Sequence, residues 1–314
     1  MHRSSSSSTL FVNYLLLLGI GLIWGSQYFF IKISLGSFSN TMVMAGRVFI
    51  GASVLTLLLN MRKEGLSARE PQRSFLSLLP EFMLIGFFEA TLPCFLIAWA
   101  QQQVPSSVTA ILMGTVPLFA TILEALFVKD YPISGKKTSA ILTGFLGVLV
   151  LIGPALFAST DHLSFSTMFP IVPVIALLFS SLCFAISVSL IKIRLGNQVA
   201  PLRAAQGILV GATITALPFL FFFSKTYFIH PISHIACLSL ILLGIFAGGI
   251  VYTLYVRLIN RAGPSFASSA NYLALPIGAF IGIVIAKEPF TSNVIASFAL
   301  ILSALWLLRE KKKA

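Results

Sequence analysis

A carboxylate and a guanidinium stand at depths where a bilayer makes charge expensive, and both are candidates for chemistry. Glu89 lies nine residues beyond Pro80, in an apolar run that reaches Trp99. A helix rising about 1.5 Å per residue carries it about 13 Å inward, near the middle of a membrane. A carboxylate there can exchange a proton with the medium or pair with a substrate ammonium. It can also tie two helices together as a hydrogen-bonded acid. Arg47 sits about two turns into the run 40–60. From there it can snorkel to an interface, take a substrate carboxylate, or pair with an acid of a neighbouring helix. Uncharged groups complete the candidate substrate-binding set: Trp24, Ser26 and Gln27 in one run, Tyr252 in another, Asn271 and Tyr272 in a third. Rings supply packing surface, and an amide or phenol fixes orientation. Glu89 and Arg47 are the candidates for proton coupling or an ion pair.

Other polar residues read as structural. Glu81 follows Pro80 in what would be a helix's first turn, where a carboxylate complements the positive end. Glu124 lies near a cytoplasmic helix end and is expected to meet a Lys or Arg. Lys32 and Lys192 are expected to snorkel, and Trp99 to sit in an interfacial belt. Cys94, Cys183 and Cys237 lie singly in apolar runs, and all four histidines fall in a tail or in loops. No metal site, redox pair or histidine relay is therefore expected. Phosphate loops and nucleophile triads are missing too, so no cofactor is expected and the chain is not read as an enzyme. Gly244 to Gly249 lies within an apolar run and reads as close helix packing.

These residues need helices to hold them. The chain of 314 residues is 57% hydrophobic and 10% charged, with a mean hydropathy of +0.97. Apolar runs long enough to cross a hydrocarbon core recur along it. That defines an all-α polytopic membrane protein, with the lipid bilayer as its solvent. The net charge of +12 would suggest nucleic acid in a soluble chain. Here the basic residues lie between the runs, so no nucleic-acid partner is expected. Cutting at polar breaks gives ten spans: 11–33, 40–60, 80–99, 105–128, 137–157, 169–191, 201–223, 236–258, 264–286 and 291–308. Lysines and arginines concentrate in alternate connections, which places both termini in the cytoplasm. The first span lacks a convincing cleavage site and reads as retained.

One stretch occurs twice. Pro105-Ser106 leads to Pro117 and on to Lys129-Asp130; Pro264-Ser265 leads to Pro276 and on to Lys287-Glu288. Pro117 and Pro276 are expected to kink or loosen their helices and to serve gating. Ile31-Lys32-Ile33 with Gly51-Ala52 likewise matches Ile191-Lys192-Ile193 with Gly211-Ala212. The chain thus divides into a polar tail 1–10, a five-helix repeat 11–157, an outer linker 158–168, a second repeat 169–308 and a basic tail 309–314. Five is odd, so the second repeat enters the membrane from the opposite side. Many secondary transporters have this architecture, with the substrate near the midplane.

Trp24-Gly25-Ser26 followed by Lys32, Arg47 in the second span, the Pro-Ser openings and Lys287-Glu288 together resemble EamA-type exporters of the drug/metabolite transporter superfamily. The resemblance covers about residues 11–308. It implies ten helices in two inverted repeats, in the inner or plasma membrane, exporting amino acids or other small metabolites by alternating access. Gln27 stands where the family often has Asn. Lys129-Asp130 replaces a usual Gly-Glu, and Phe184-Ala185-Ile186 stands where the first repeat has Trp-Gly-Ser. One central site with unequal walls is therefore expected, lined by spans one, three, four, six, eight and nine. The partner is a small-molecule substrate, with a monomer as the working expectation. The alternatives are an importer or exchanger of a charged, nucleotide-like metabolite, in which Arg47 matters more, and a non-transporting membrane protein.

Overall fold

The computed structural model describes residues 7–61, 74–127, 134–157, 170–195, 199–223, 226–229, 231–262 and 270–308. Among the described residues the regular structure is helical, apart from an isolated antiparallel bridge between Phe38 and Phe228. The first helices are α1 (Ser7–Ser34), α2 (Asn40–Met61), α3 (Phe75–Ala100), α4 (Ser106–Phe127) and α5 (Gly135–Phe157). Then follow α6 (Ile171–Leu195), α7 (Pro201–Phe222) and α8, made of His234–Leu242, Leu243–Ile250 and Val251–Ala262 in succession. The last are α9 (Ala270–Phe280, continued by Ile281–Ile285) and α10 (Ser292–Leu308). Eight helices, α1 to α8, are long and apolar enough to cross a membrane by length and composition; α9 and α10 are shorter apolar helices. The expected ninth span opened at 264, and its first residues lie outside the described ones, as do Lys129-Asp130, the 158–168 linker and the basic tail.

The outer shell is apolar. Leu76, Leu126, Phe127, Phe221 and Phe222 are each at least 70% exposed, a pattern water would not tolerate and lipid requires. Pro80 does not open the third span. Ser74 caps that helix, its hydroxyl accepting from the Ser77 N–H at 3.2 Å, and Pro80 lies inside it. Glu81 is consequently not in the first turn, and the macrodipole role expected of it does not hold.

The major helix contacts come in matched pairs. α1 packs on α9 as α6 packs on α4; α3 on α7 as α8 on α2; α3 on α6 as α8 on α1; and α5 pairs with α10. Replacing each helix by the one five places away returns the same set. Small residues make these crossings close. Gly86 leaves room for the Ile208 carbonyl, where a Cβ would stand 2.4 Å away, and Gly51 and Gly248 meet backbone to backbone.

At one end of the bundle the connections are zipped together. The Ser39 N–H donates to the Tyr227 carbonyl at 3.0 Å, the Ile229 N–H to the Ser37 carbonyl at 3.0 Å, and the Ser37 hydroxyl to the Pro231 carbonyl. Lys32, in the last turn of α1, donates there to the Gln101 carbonyl at 2.7 Å.

Candidate functional site

Glu89 is carried by a five-residue π-helical stretch, Phe87–Thr91, in the middle of α3. The Leu92 N–H reaches back five residues to the Phe87 carbonyl. A π turn shifts the register of every side chain in it and is frequent at functional sites. Neighbours hold it in place. The Thr91 hydroxyl donates to the Ala212 carbonyl at 2.9 Å and shares a 2.8 Å bond with Thr215. The Gly86 backbone lies against α7 just before the turn.

The result is a carboxylate with both oxygens engaged. Oε2 accepts from the Ser187 hydroxyl of α6, and Oε1 from the Tyr252 hydroxyl of α8 at 3.2 Å. Both oxygens of a buried carboxyl group thereby find partners, as buried polar groups nearly always do. The group that comes from the first half of the chain is thus held by two hydroxyls from the second.

Glu89 and Tyr252 stand at a cavity of about 380 Å³ between the halves. That is within the range of small-molecule sites. Trp24, Gln27, Arg47 and Pro117 are in its wall, as are Tyr28, Phe184 and Tyr255. Trp24 and Tyr255 pair with ring centroids 5.3 Å apart at 53°. From the middle of the bundle the walls continue along Val188, Ile191 and Leu195 of α6 and along Ala204, Ala205 and Ile208 of α7. The cavity therefore extends toward the end where α6 finishes and α7 begins, away from the zipped connections. Arg47 turns inward, and its Nη1 is buried without a hydrogen-bond partner.

Sequence reasoning named the lining of spans one, three, four, six, eight and nine. α2 belongs to it through Arg47 and Val48, α7 through Ala204 to Leu209, and α10 through Leu305. Ser26 bonds its own helix at the Ile23 carbonyl, 3.2 Å away. Tyr272 is half-buried against the central apolar cluster, and the Asn271 side chain lies outside the described residues. Trp99, expected at an interface, packs half-buried against the same cluster.

The two proline helices differ. In α4 the regular pattern breaks at Gly114-Thr115, whose N–H groups bond three residues back, to Ile111 and Leu112. Pro117 has no N–H to offer the Met113 carbonyl. The Leu112 carbonyl is used instead by the Thr115 hydroxyl at 2.7 Å and by Ser181 of α6 at 3.4 Å. In α9 the helix continues through Pro276, and the π-helical stretch Ile281–Ile285 follows.

Sequence reasoning missed Ser187. Its signal was a series of serines, with Ser180, Ser181 and Ser187 all fully buried in a mostly apolar helix. It also missed Tyr28, a buried phenol in the first span. Among the described residues no cluster of three metal-ligating side chains occurs.

An apolar-shelled helical bundle enclosing a mostly apolar cavity with a few polar groups in its wall is a multi-pass membrane transporter in form, and the comparisons with known proteins agree. The chain matches the EamA-like transporter family twice, over residues 12–153 and 171–309. It belongs to that family. It is 22% identical over 291 residues to the uncharacterized transporter YoaV of Bacillus subtilis, covering 93% of this chain and 94% of that one. To the uncharacterized inner membrane transporter YedA of Escherichia coli K12 it is 26% identical over 269 residues, 85% of this chain and 80% of that one. An uncharacterized transporter of Archaeoglobus fulgidus is 23% identical over 292 residues, 92% of this chain and 95% of that one. A solved structure described only as the crystal structure of a protein aligns with a TM-score of 0.57 at 17% identity, covering 96% of each chain. These relatives indicate a transporter rather than an enzyme.

Proposed function

We propose that the protein is a secondary-active exporter of small organic solutes, amino acids or related metabolites, working by alternating access in the inner or plasma membrane. The observation that carries this reading is the cavity between the halves, with Glu89 held on one wall and a buried guanidinium nitrogen of Arg47 left unpartnered. An amino acid is a small zwitterion. Its carboxylate suits Arg47, and its side chain suits the wall of Trp24, Tyr255 and Phe184. Ten spans in two inverted five-helix repeats, both termini cytoplasmic, form the framework of the proposal. The matched helix contacts support it, since alternating access exchanges the roles of the two repeats. The repeats are taken as 11–157 and 169–308. On that topology the zipped end faces outward and the cavity faces the cytoplasm. A monomer contains the whole cavity.

A second reading draws on Arg47 alone. With Glu89 occupied by two hydroxyls, the group left with an open hydrogen-bonding position is the Arg47 guanidinium, which favours a solute that carries a carboxylate or phosphate. A charged metabolite then replaces the zwitterion.

Counterflow in proteoliposomes tests both. Vesicles are preloaded with unlabelled amino acids, and entry of each labelled one is followed for wild type and Glu89→Gln, with and without an imposed pH gradient. Exchange of some amino acids by wild type is the expected result. A gradient that drives wild type but not Glu89→Gln makes the carboxylate the coupling group; equal responses make it structural. Folded protein that exchanges no amino acid sinks the first reading and leaves the charged metabolite.

A further inference from the structure

Glu288 lies just past α9, at the zipped end of the bundle, and its carboxylate reaches across to the start of α4. Oε1 accepts from the Ser106 N–H at 2.7 Å and from the Ser106 hydroxyl at 2.8 Å; Oε2 accepts from the Ser107 N–H at 2.8 Å. Three short bonds thus join the second half of the chain to the first helix end of the connection between α3 and α4. The approach is built for this contact. Lys287 adopts a left-handed φ of 53°, which turns the chain back, and the Glu288 N–H bonds the Gly282 carbonyl at 3.1 Å. A Cβ on Gly282 would stand 2.5 Å from Glu288 Oε2 and 2.7 Å from the Ser107 nitrogen, so no other residue admits the carboxylate.

The same end is under an opposing load. The Ser107 hydroxyl and both polar atoms of the Gln101 side chain are buried with no hydrogen-bond partner, although Gln101, Ser106 and Ser107 are at most 1% exposed. Buried polar groups in native proteins nearly always find partners, and each exception asks for an explanation. A permanent seal would gain by replacing Gln101 with an apolar residue. A seal that must open gains from groups that water satisfies only in the open form. The carboxylate holds the end shut; the orphaned amide and hydroxyl favour opening it.

We propose that Glu288 is the releasable latch of this end, and that Gln101 and Ser107 weight the balance toward release. Ala110 lies one helical turn beyond Ser106 and lines the cavity, so release at Ser106 and Ser107 loosens the wall directly beneath. The inference rests on the alternating-access reading, in which each end must open in turn.

The test uses the full chain with Cys94, Cys183 and Cys237 replaced by alanine and a reporter, Ala274→Cys, in the cavity wall. A membrane-impermeant maleimide is applied to each face of oriented vesicles. The parent is expected to label from one face. Glu288→Gln, which keeps the shape and removes the charge, is expected to raise labelling from the other face roughly tenfold. Gln101→Met is expected to lower it below the parent. Opposite signs from two substitutions at one end are not the effect of general loosening. Should Glu288→Gln fail to fold, as judged by labelling in detergent, Ser106→Ala removes one of the three bonds and is expected to shift labelling the same way. Unchanged labelling from the second face in folded Glu288→Gln or Ser106→Ala overturns the latch. A shift in labelling by a protein that exchanges no solute in the counterflow assay keeps the latch and overturns the transport reading instead.

Discussion

Gly51 and Gly248 touch through their backbones. A Cβ on Gly51 would stand 2.9 Å from the Cα and from the carbonyl carbon of Gly248. Five helices on, Gly211 of α7 meets α3 in the corresponding way, with a Cβ 2.3 Å from the Phe82 carbonyl oxygen, and Gly86 answers from α3. These two crossings set the distances of α2 from α8 and of α3 from α7. They therefore place Arg47, one turn before Gly51, and Glu89, just after Gly86.

Gly86→Ala is expected to destabilise the protein, because the added methyl meets the Ile208 oxygen at 2.4 Å and the Ala212 nitrogen at 2.5 Å, and neither is a side chain that can swing aside. Overpacking of this kind costs about 1–3 kcal/mol. Gly51→Ala, with its nearest atoms at 2.9 Å, should cost less. Gly135→Ala meets nothing within 4 Å and should stay within about 0.5 kcal/mol of wild type. Thermal denaturation in detergent checks the order. A Gly86→Ala protein as stable as Gly135→Ala would mean that α3 and α7 can separate freely.

Much of this arrangement was legible in the sequence, and the limits have physical causes. Hydropathy marks spans because lipid demands continuous apolar surface, and depth along the span singled out Glu89. Depth does not give the face. In helices apolar all round, the 3.6-residue period carries no inside or outside, so Arg47 stayed divided between snorkelling and the cavity. Pro80 misled because proline is common both at helix starts and within membrane helices; Ser74 was the true cap. The π turn around Glu89 has no sequence mark. The Gly51-Ala52 and Gly211-Ala212 match was visible as a repeat, while the glycines they meet, Gly248 and Gly86, are a matter of tertiary packing.

The hydroxyls of Ser187 and Tyr252 engage both oxygens of Glu89 inside the bundle. Ser187→Ala and Tyr252→Phe each remove one donor with little change of shape. Leaving a buried carboxyl oxygen unsatisfied costs about 1–3 kcal/mol, so each variant is expected to lower the counterflow rate roughly 5- to 100-fold. The double variant should fall short of the product of the two, because both act through one carboxylate. Counterflow by all three variants checks this. Independent, multiplying losses would show that Tyr252 and Ser187 act on something other than Glu89.

Arg47 offers a cation without a partner at Nη1. Arg47→Lys keeps the charge but loses the planar fork that holds a carboxylate with two parallel bonds. The expected effect is a KM raised about tenfold for the transported solute, with little change in stability. Arg47→Met removes the guanidinium whose Nη1 is buried without a hydrogen-bond partner, and is expected to raise the melting temperature while abolishing exchange, since an unsatisfied buried polar atom costs stability. Exchange kinetics and thermal denaturation of both variants check the pair. A fall in stability with Arg47→Met would assign the guanidinium a structural partner and remove it from the substrate.

Pro117 lines the cavity at the point where α4 loses its regular bonding. The missing N–H leaves the Met113 carbonyl without its helical donor, and the Gly114 and Thr115 N–H groups have tightened to bonds three residues back. Proline within a helix costs about 3 kcal/mol, offset here in part by the Thr115 and Ser181 hydroxyls on the Leu112 carbonyl. Pro117→Ala restores the donor and should let α4 run straight. The melting temperature is then expected to rise by a few degrees. If the break is a hinge about which the two ends of α4 move separately, the same variant should exchange solute at least about tenfold more slowly, which is the usual exchange of activity for rigidity. Stability and counterflow measured on one preparation decide the matter. A more stable Pro117→Ala with undiminished exchange makes the break a tolerated irregularity, and a less stable one means that the surrounding cavity wall depends on the bend.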